Sequence, residues 1–93
     1  MSGERATVDL VVAERKRELE RHRVVVDGDA VTPTETGDEP AAVVLTLTPP
    51  DADAVKRGEL DLSVAFMRGT MKMAGDSAVL LRVLPVLSRS QPL

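Results

Sequence analysis

Asp61-Leu62-Ser63-Val64-Ala65-Phe66-Met67-Arg68-Gly69-Thr70-Met71-Lys72-Met73-Ala74-Gly75-Asp76 changes its periodicity at Gly69, and that change decides the fold class. Before Gly69, Leu62, Ala65 and Phe66 recur at helical spacing behind Asp61, a good N-cap residue. Gly69 stands where a left-handed C-cap residue is wanted. After it, Met71 and Met73 share one side of an alternating run from Thr70 to Ala74, with Thr70 and Lys72 on the other. Gly75 breaks this strand, and Asp76 or Ser77 caps a last helix. A helix, a strand and a second helix within so few residues exclude an all-α or all-β chain.

Working outward, Val79, Leu80, Val83, Leu84 and Leu87 give the last helix a broad apolar face. Pro85 removes a backbone donor and predicts a kink or an end near Leu84. Upstream, Ala41 to Thr48 alternates: Val43, Leu45 and Leu47 on one face, Val44, Thr46 and Thr48 on the other. Pro49-Pro50 ends that strand, and Asp51 or Asp53 can cap a short helix through Arg57, with Gly58 closing it.

Further back, Val8, Leu10 and Val12 alternate with Asp9 and Val11 in a half-buried strand from about Thr7. Glu14 to Arg23 is dense in both charge signs and reads as the polar end of a long hairpin. Its Arg15-Lys16-Arg17 run sits among Glu14, Glu18 and Glu20, so it reads as a solvated face. Val24-Val25-Val26 followed by Asp27-Gly28 signals a primed turn into a strand from Asp29 to Glu35. Thr36 to Pro40 is a connector. The order is four strands in a meander, two short helices, one strand and a closing helix. The fold class is α+β: a five-stranded, mainly antiparallel sheet with short helices packed on one face. Residues 1–6 form an arm, 7–88 the domain and 89–93 a tail.

Composition narrows the chemistry. The 93 residues are 43% hydrophobic and 29% charged, with Phe66 the single aromatic. An interior of Val, Leu, Ala and Met suits flexible packing or an aliphatic pocket. A net charge of -3, with no stacking platform, argues against nucleic acid. No cysteine is present, which removes thiolate chemistry and Cys-ligated metal and is compatible with the cytoplasm. The first ten residues lack the build of a signal peptide, and no apolar run is long enough for a transmembrane segment. The last four residues do not match a peroxisomal address.

Catalytic groups are sparse. His22 is the lone histidine, in a charged stretch, and no nucleophile elbow or Gly-rich phosphate loop is present. Asp27 and Asp29 do not fall at calcium-loop spacing. The chain reads as a non-enzyme with no metal and no cofactor.

From Ala41 to Leu87 the chain resembles the C-terminal half of the sterol carrier protein type-two domain. The residues carrying this are Val43 to Thr48, Arg57-Gly58-Glu59-Leu60-Asp61, and Val64 to Asp76. The resemblance implies a five-stranded sheet with helices on one face, enclosing a site for fatty acid, acyl-CoA or sterol-like ligands. It implies Leu60, Phe66, Met67, Met71, Met73 and Leu80 as ligand-facing positions. The apolar periodicity adds Val43, Leu45 and Leu84 to that layer. That family usually begins with a helix, whereas few residues precede the first strand here. The exposed layer is therefore expected to meet a second copy or another protein partner. An interaction protein using that layer as an interface is the alternative function. An accessory part of an enzyme system, presenting apolar substrates, is a third.

Overall fold

Alternation of apolar and polar residues produces β1 (Arg5–Glu14) and β2 (Arg17–Asp27), joined by Arg15-Lys16. The computed structural model describes residues 5–90 and 93. Residues 1–4 of the expected arm and 91–92 of the expected tail lie outside the described residues. Strand β1 begins at Arg5, two residues earlier than its alternation suggested. Both turn residues have positive φ, 53° at Arg15 and 68° at Lys16, the pattern of a type I′ turn. Register shifts between Val12 and Ala13, which pair with Glu20 and Glu18, so Leu19 is the extra residue of a bulge.

Strand β3 (Ala30–Thr34) returns from β2 through Gly28-Asp29. Gly28 takes φ +61° as the first of the two turn residues, so the turn is the Gly-first primed type and falls one residue later than Asp27-Gly28 suggested. Strand β4 (Val43–Leu47) does not continue the meander. It crosses to the other side of β1 and pairs with it in parallel, and β5 (Lys72–Gly75) pairs antiparallel with β4. The sheet order is β3-β2-β1-β4-β5, mostly antiparallel. The expected four-strand meander is corrected at this point. Pro33 cannot donate to a further neighbour, which confines β3 to an edge. The apolar β4 instead takes the free edge of β1.

The helices are α1 (Pro49–Lys56), α2 (Leu62–Met67) and α3 (Ser77–Ser90). Helix α1 starts earlier than expected. Thr48, not Asp51 or Asp53, is its N-cap, with Thr48 Oγ1 accepting from Asp51 N at 3.4 Å. Pro49 and Pro50 end the strand and also begin the helix, where a missing N–H costs nothing. Asp61 is the N-cap residue of α2, without a side-chain hydrogen bond. Asp76 caps α3, its Oδ1 accepting from Ala78 N at 2.9 Å and Val79 N at 3.3 Å.

Helix α3 does not end at Leu84. It runs through Pro85 to Ser90. Pro85 is exposed, and the carbonyl it leaves without a donor belongs to Leu81, also on the outer side. Water can satisfy that carbonyl, while Val83, Leu84, Val86 and Leu87 hold the helix to the sheet. Gly58 and Gly69 also take positive φ, and Gly75, at φ +108°, is crowded as well. A Cβ there would stand 2.3 Å from the Ala42 carbonyl oxygen, so only glycine lets β5 approach β4 this closely.

Candidate functional site

One continuous apolar layer lies between the sheet and the helices. The sheet contributes Val8, Leu10, Val12, Val24, Val26, Val43, Leu45 and Leu47. The helices contribute Ala52 and Val55, Leu62 and Ala65, then Leu80, Val83, Leu84, Val86 and Leu87. Of the positions singled out in the sequence, Val43, Leu45, Met71, Leu80 and Leu84 are buried in this layer. Leu60, Phe66 and Met73 are half-buried and packed against it.

Met67 does not join the layer. It is 83% exposed. Leu62 and Ala65 define the buried stripe of α2, and about 100° per residue carries Met67 off that stripe. Val64 and Leu81 share its exposed setting. Met73, paired with Leu45 on the edge strand β5, and Met71, just before that strand, are the unbranched members of the layer.

The opposite face of the sheet carries a charged centre that composition and periodicity did not single out. Asp9 alternates with Val8 and Leu10 and so points away from the helices. It is 1% exposed. Arg23, its direct cross-strand partner, donates through Nε to Oδ1 at 2.7 Å and through a terminal nitrogen to Oδ2 at 3.1 Å. Arg21 donates to the same Oδ2 and holds Glu18 on its other side. Burial alone would raise the Asp9 carboxyl, but hydrogen bonds from Arg23 and Arg21 outweigh it and hold it below the ordinary value. The connector from Thr36 to Ala41 lines a depression of about 380 Å³ over this group. A hint was available: an acid flanked by buried valine and leucine, with two arginines at period two on the next strand.

His22 sits on the helix side of β2 and bonds Glu20 at 3.0 Å, while Lys56 of α1 reaches the same carboxylate at 3.2 Å. The bonds from His22 and Lys56 hold Glu20 below its ordinary value. This links hairpin to helix; it does not pair His22 with a nucleophile. Among the described residues no group of three or more His, Cys, Asp or Glu could hold a metal ion. Among them, too, no helix is long and apolar enough to cross a membrane.

Comparison with known proteins gives a consistent picture. The family model of the SCP-2 sterol transfer family matches residues 8–88. No curated protein matches the sequence. Among solved structures, the chain is similar to palmitated sterol carrier protein 2 like 2 from Aedes aegypti, at 17% identity and TM-score 0.56. That match covers 88% of this chain and 71% of the other. It is similar to sterol carrier protein domain 2 of Helicoverpa armigera, at 21% identity and TM-score 0.56, covering 94% and 68%. It is also similar to part of the stereoselective inverting sec-alkylsulfatase Pisa1 from Pseudomonas sp., at 24% identity and TM-score 0.56. There it covers 88% of this chain but spans only 13% of the sulfatase.

Proposed function

This chain belongs to the SCP-2 sterol transfer family, and from that membership we propose that it binds or transfers an apolar, lipid-like ligand without catalysis. Fatty acid, acyl-CoA and sterol-like compounds are the ligand classes. The observation that carries the reading is the single apolar layer between helices and sheet, with Met71 and Met73 at its β5 edge. Val43, Leu45, Leu60, Phe66, Met71, Met73, Leu80 and Leu84 are the proposed contacts. The palmitated state of the Aedes aegypti relative supports a fatty-acid guest.

Leu10, Leu45, Leu47, Leu62, Leu80 and Leu87 are fully buried by their neighbours, so uptake requires the layer to open. The short α2 and the unbranched methionines are the elements best suited to shift. Observed affinity is then lowered by the fraction of molecules in the open state.

The test is titration of the folded chain with fluorescent fatty acids and sterols. Affinity in the micromolar range, on the order of -8 kcal/mol, is expected. Leu80→Lys should abolish uptake, because an unpaired charge in the layer is costly. Met73→Leu roughly conserves volume and should alter ligand preference while leaving the fold intact. If none of these ligands binds the folded protein, the reading fails. Sedimentation of the same sample as a dimer would then favour an interaction role.

A further inference from the structure

We propose that the tip of the first hairpin, with the adjoining ends of β4 and β5, forms a binding pocket for a phosphate-bearing group. Ala13, Arg15, Lys16, Thr46, Leu47, Thr48, Thr70 and Lys72 line a depression of about 340 Å³. That is roughly ten times the share of one water in the liquid, so a phosphate with an attached group fits. Thr46 alternates with the buried Leu45 and Leu47, and Lys72 is its cross-strand partner. Both therefore face away from the helices, and the pocket opens on the side of the sheet opposite the apolar layer. The inference does not rest on the lipid reading.

Charge is the decisive feature. Arg15, Lys16 and Lys72 bring three cations to the pocket, and no carboxylate lines it. Arg21, Arg23, Lys56, Arg57 and Arg89 each hold a carboxylate, while Arg5, Arg17 and Arg68 are in no ion pair among the described residues but lie apart from this pocket. Arg15, Lys16 and Lys72 make no ion pair among the described residues. Of the acids the sequence places beside them, Glu18 is held by Arg21 and Glu20 by His22 and Lys56, while Glu14 is in no ion pair among the described residues and does not line the pocket. Thr48 Oγ1 accepts from Asp51 N, which leaves its own proton free to donate. Thr46 has no side-chain hydrogen bond among the described residues, whereas Thr70 spends its proton on the Ala65 carbonyl. Three cations and two free hydroxyls suit a phosphate group, which carries up to about two negative charges and three acceptor oxygens.

The backbone adds a second observation. Arg15 and Lys16 both occupy the left-handed region, in a turn that favours Asn-Gly. Two cationic side chains are held there against local preference, and both line the pocket.

The conflict between preference and charge supplies a clean experiment. Replacing Arg15→Asn together with Lys16→Gly removes two charges and installs the residues that the turn prefers. The full chain is titrated with sodium pyrophosphate at low ionic strength and followed by amide chemical shifts. Saturable shifts are expected around Arg15, Lys16, Thr48 and Lys72. Affinity should fall about tenfold or more in the double variant and in Lys72→Gln. The thermal midpoint of the double variant should be unchanged or raised, which separates lost binding from lost folding. Phosphatidylcholine vesicles with and without phosphatidic acid identify the source. Pyrophosphate together with phosphatidic acid binding points to a lipid headgroup, and pyrophosphate binding alone to a soluble phosphorylated compound. Absence of saturable pyrophosphate binding, whatever the vesicles do, overturns the proposal. So does equal affinity in the wild type and both variants.

Discussion

Asp9 and Arg23 face each other across the first hairpin in a two-point ion pair with little exposed surface, the acid 1% and the arginine 8%, at the floor of the depression under the connector. Such a pair is more costly to break than to omit. Removing one partner strands the other charge.

The Asp9 carboxyl titrates below its ordinary 3.8 in the folded state. Its contribution to stability is therefore fully present above about pH 4 and is lost as pH falls through the lowered folded value. Asp9→Asn should destabilise the chain by about 2–3 kcal/mol at neutral pH, the low end for a broken buried pair because the depression beside it admits water. Urea midpoints measured from pH 6 down to pH 2 should fall less steeply in the variant than in the wild type. Parallel curves would show that Asp9 does not carry the acid response.

Gly75 leaves no room for a Cβ where β5 meets the start of β4. Gly75→Ala adds a Cβ 2.3 Å from the Ala42 carbonyl oxygen, at φ +108°. That carbonyl also accepts from Asp76 N at 3.0 Å, so any shift disturbs the start of α3. A loss of about 3 kcal/mol is expected, read as a lower urea midpoint with an unchanged slope. A neutral result would mean that β5 sits farther from Ala42.

Neighbouring residues of α2 should respond very differently. Phe66→Ala removes a half-buried ring and should cost about 2 kcal/mol, less than the range for a fully buried one. Met67→Ser alters a side chain that is 83% exposed and should change stability by less than about 0.5 kcal/mol. It should also leave fatty-acid uptake unchanged. Equal effects of the two substitutions would place the register of α2 in error.

Pro85→Ala restores a donor within α3, opposite the Leu81 carbonyl. The gain is expected at about 1–2 kcal/mol, after allowing for the freer unfolded chain. Thermal unfolding should shift upward. A lowered midpoint would mean that the exposed proline shapes the helix in a way the sheet requires.

How much of this was readable from the chain depends on the range of the interaction. The period change at Gly69, the alternation of Val43, Leu45 and Leu47, the glycine turn at Gly28 and the cap at Asp76 are decided within a few residues. Local sterics and backbone hydrogen bonding suffice for them, and the resemblance was carried by the same segments. The apolar layer was legible for the same reason, since period two and period 3.6 name the inward side of each element. Met67 shows the resolution of that method: in a helix of six residues, one position separates a lining residue from an exposed one.

Partner choice lay beyond it. Alternation shows that β4 needs a neighbour, yet not that β1 offers the open edge while Pro33 closes the other. Asp9 meets Arg21 and Arg23 because the hairpin sets a register, and its burial depends on a connector that arrives after β3. Pro85 is tolerated because its vacant carbonyl faces water, a matter of which side of α3 meets the sheet. The sequence alone determined which residues turn inward and where the chain bends. The tertiary structure decided which strands meet, which charges are sealed together and which are left facing a pocket, because those outcomes depend on residues far apart in the chain.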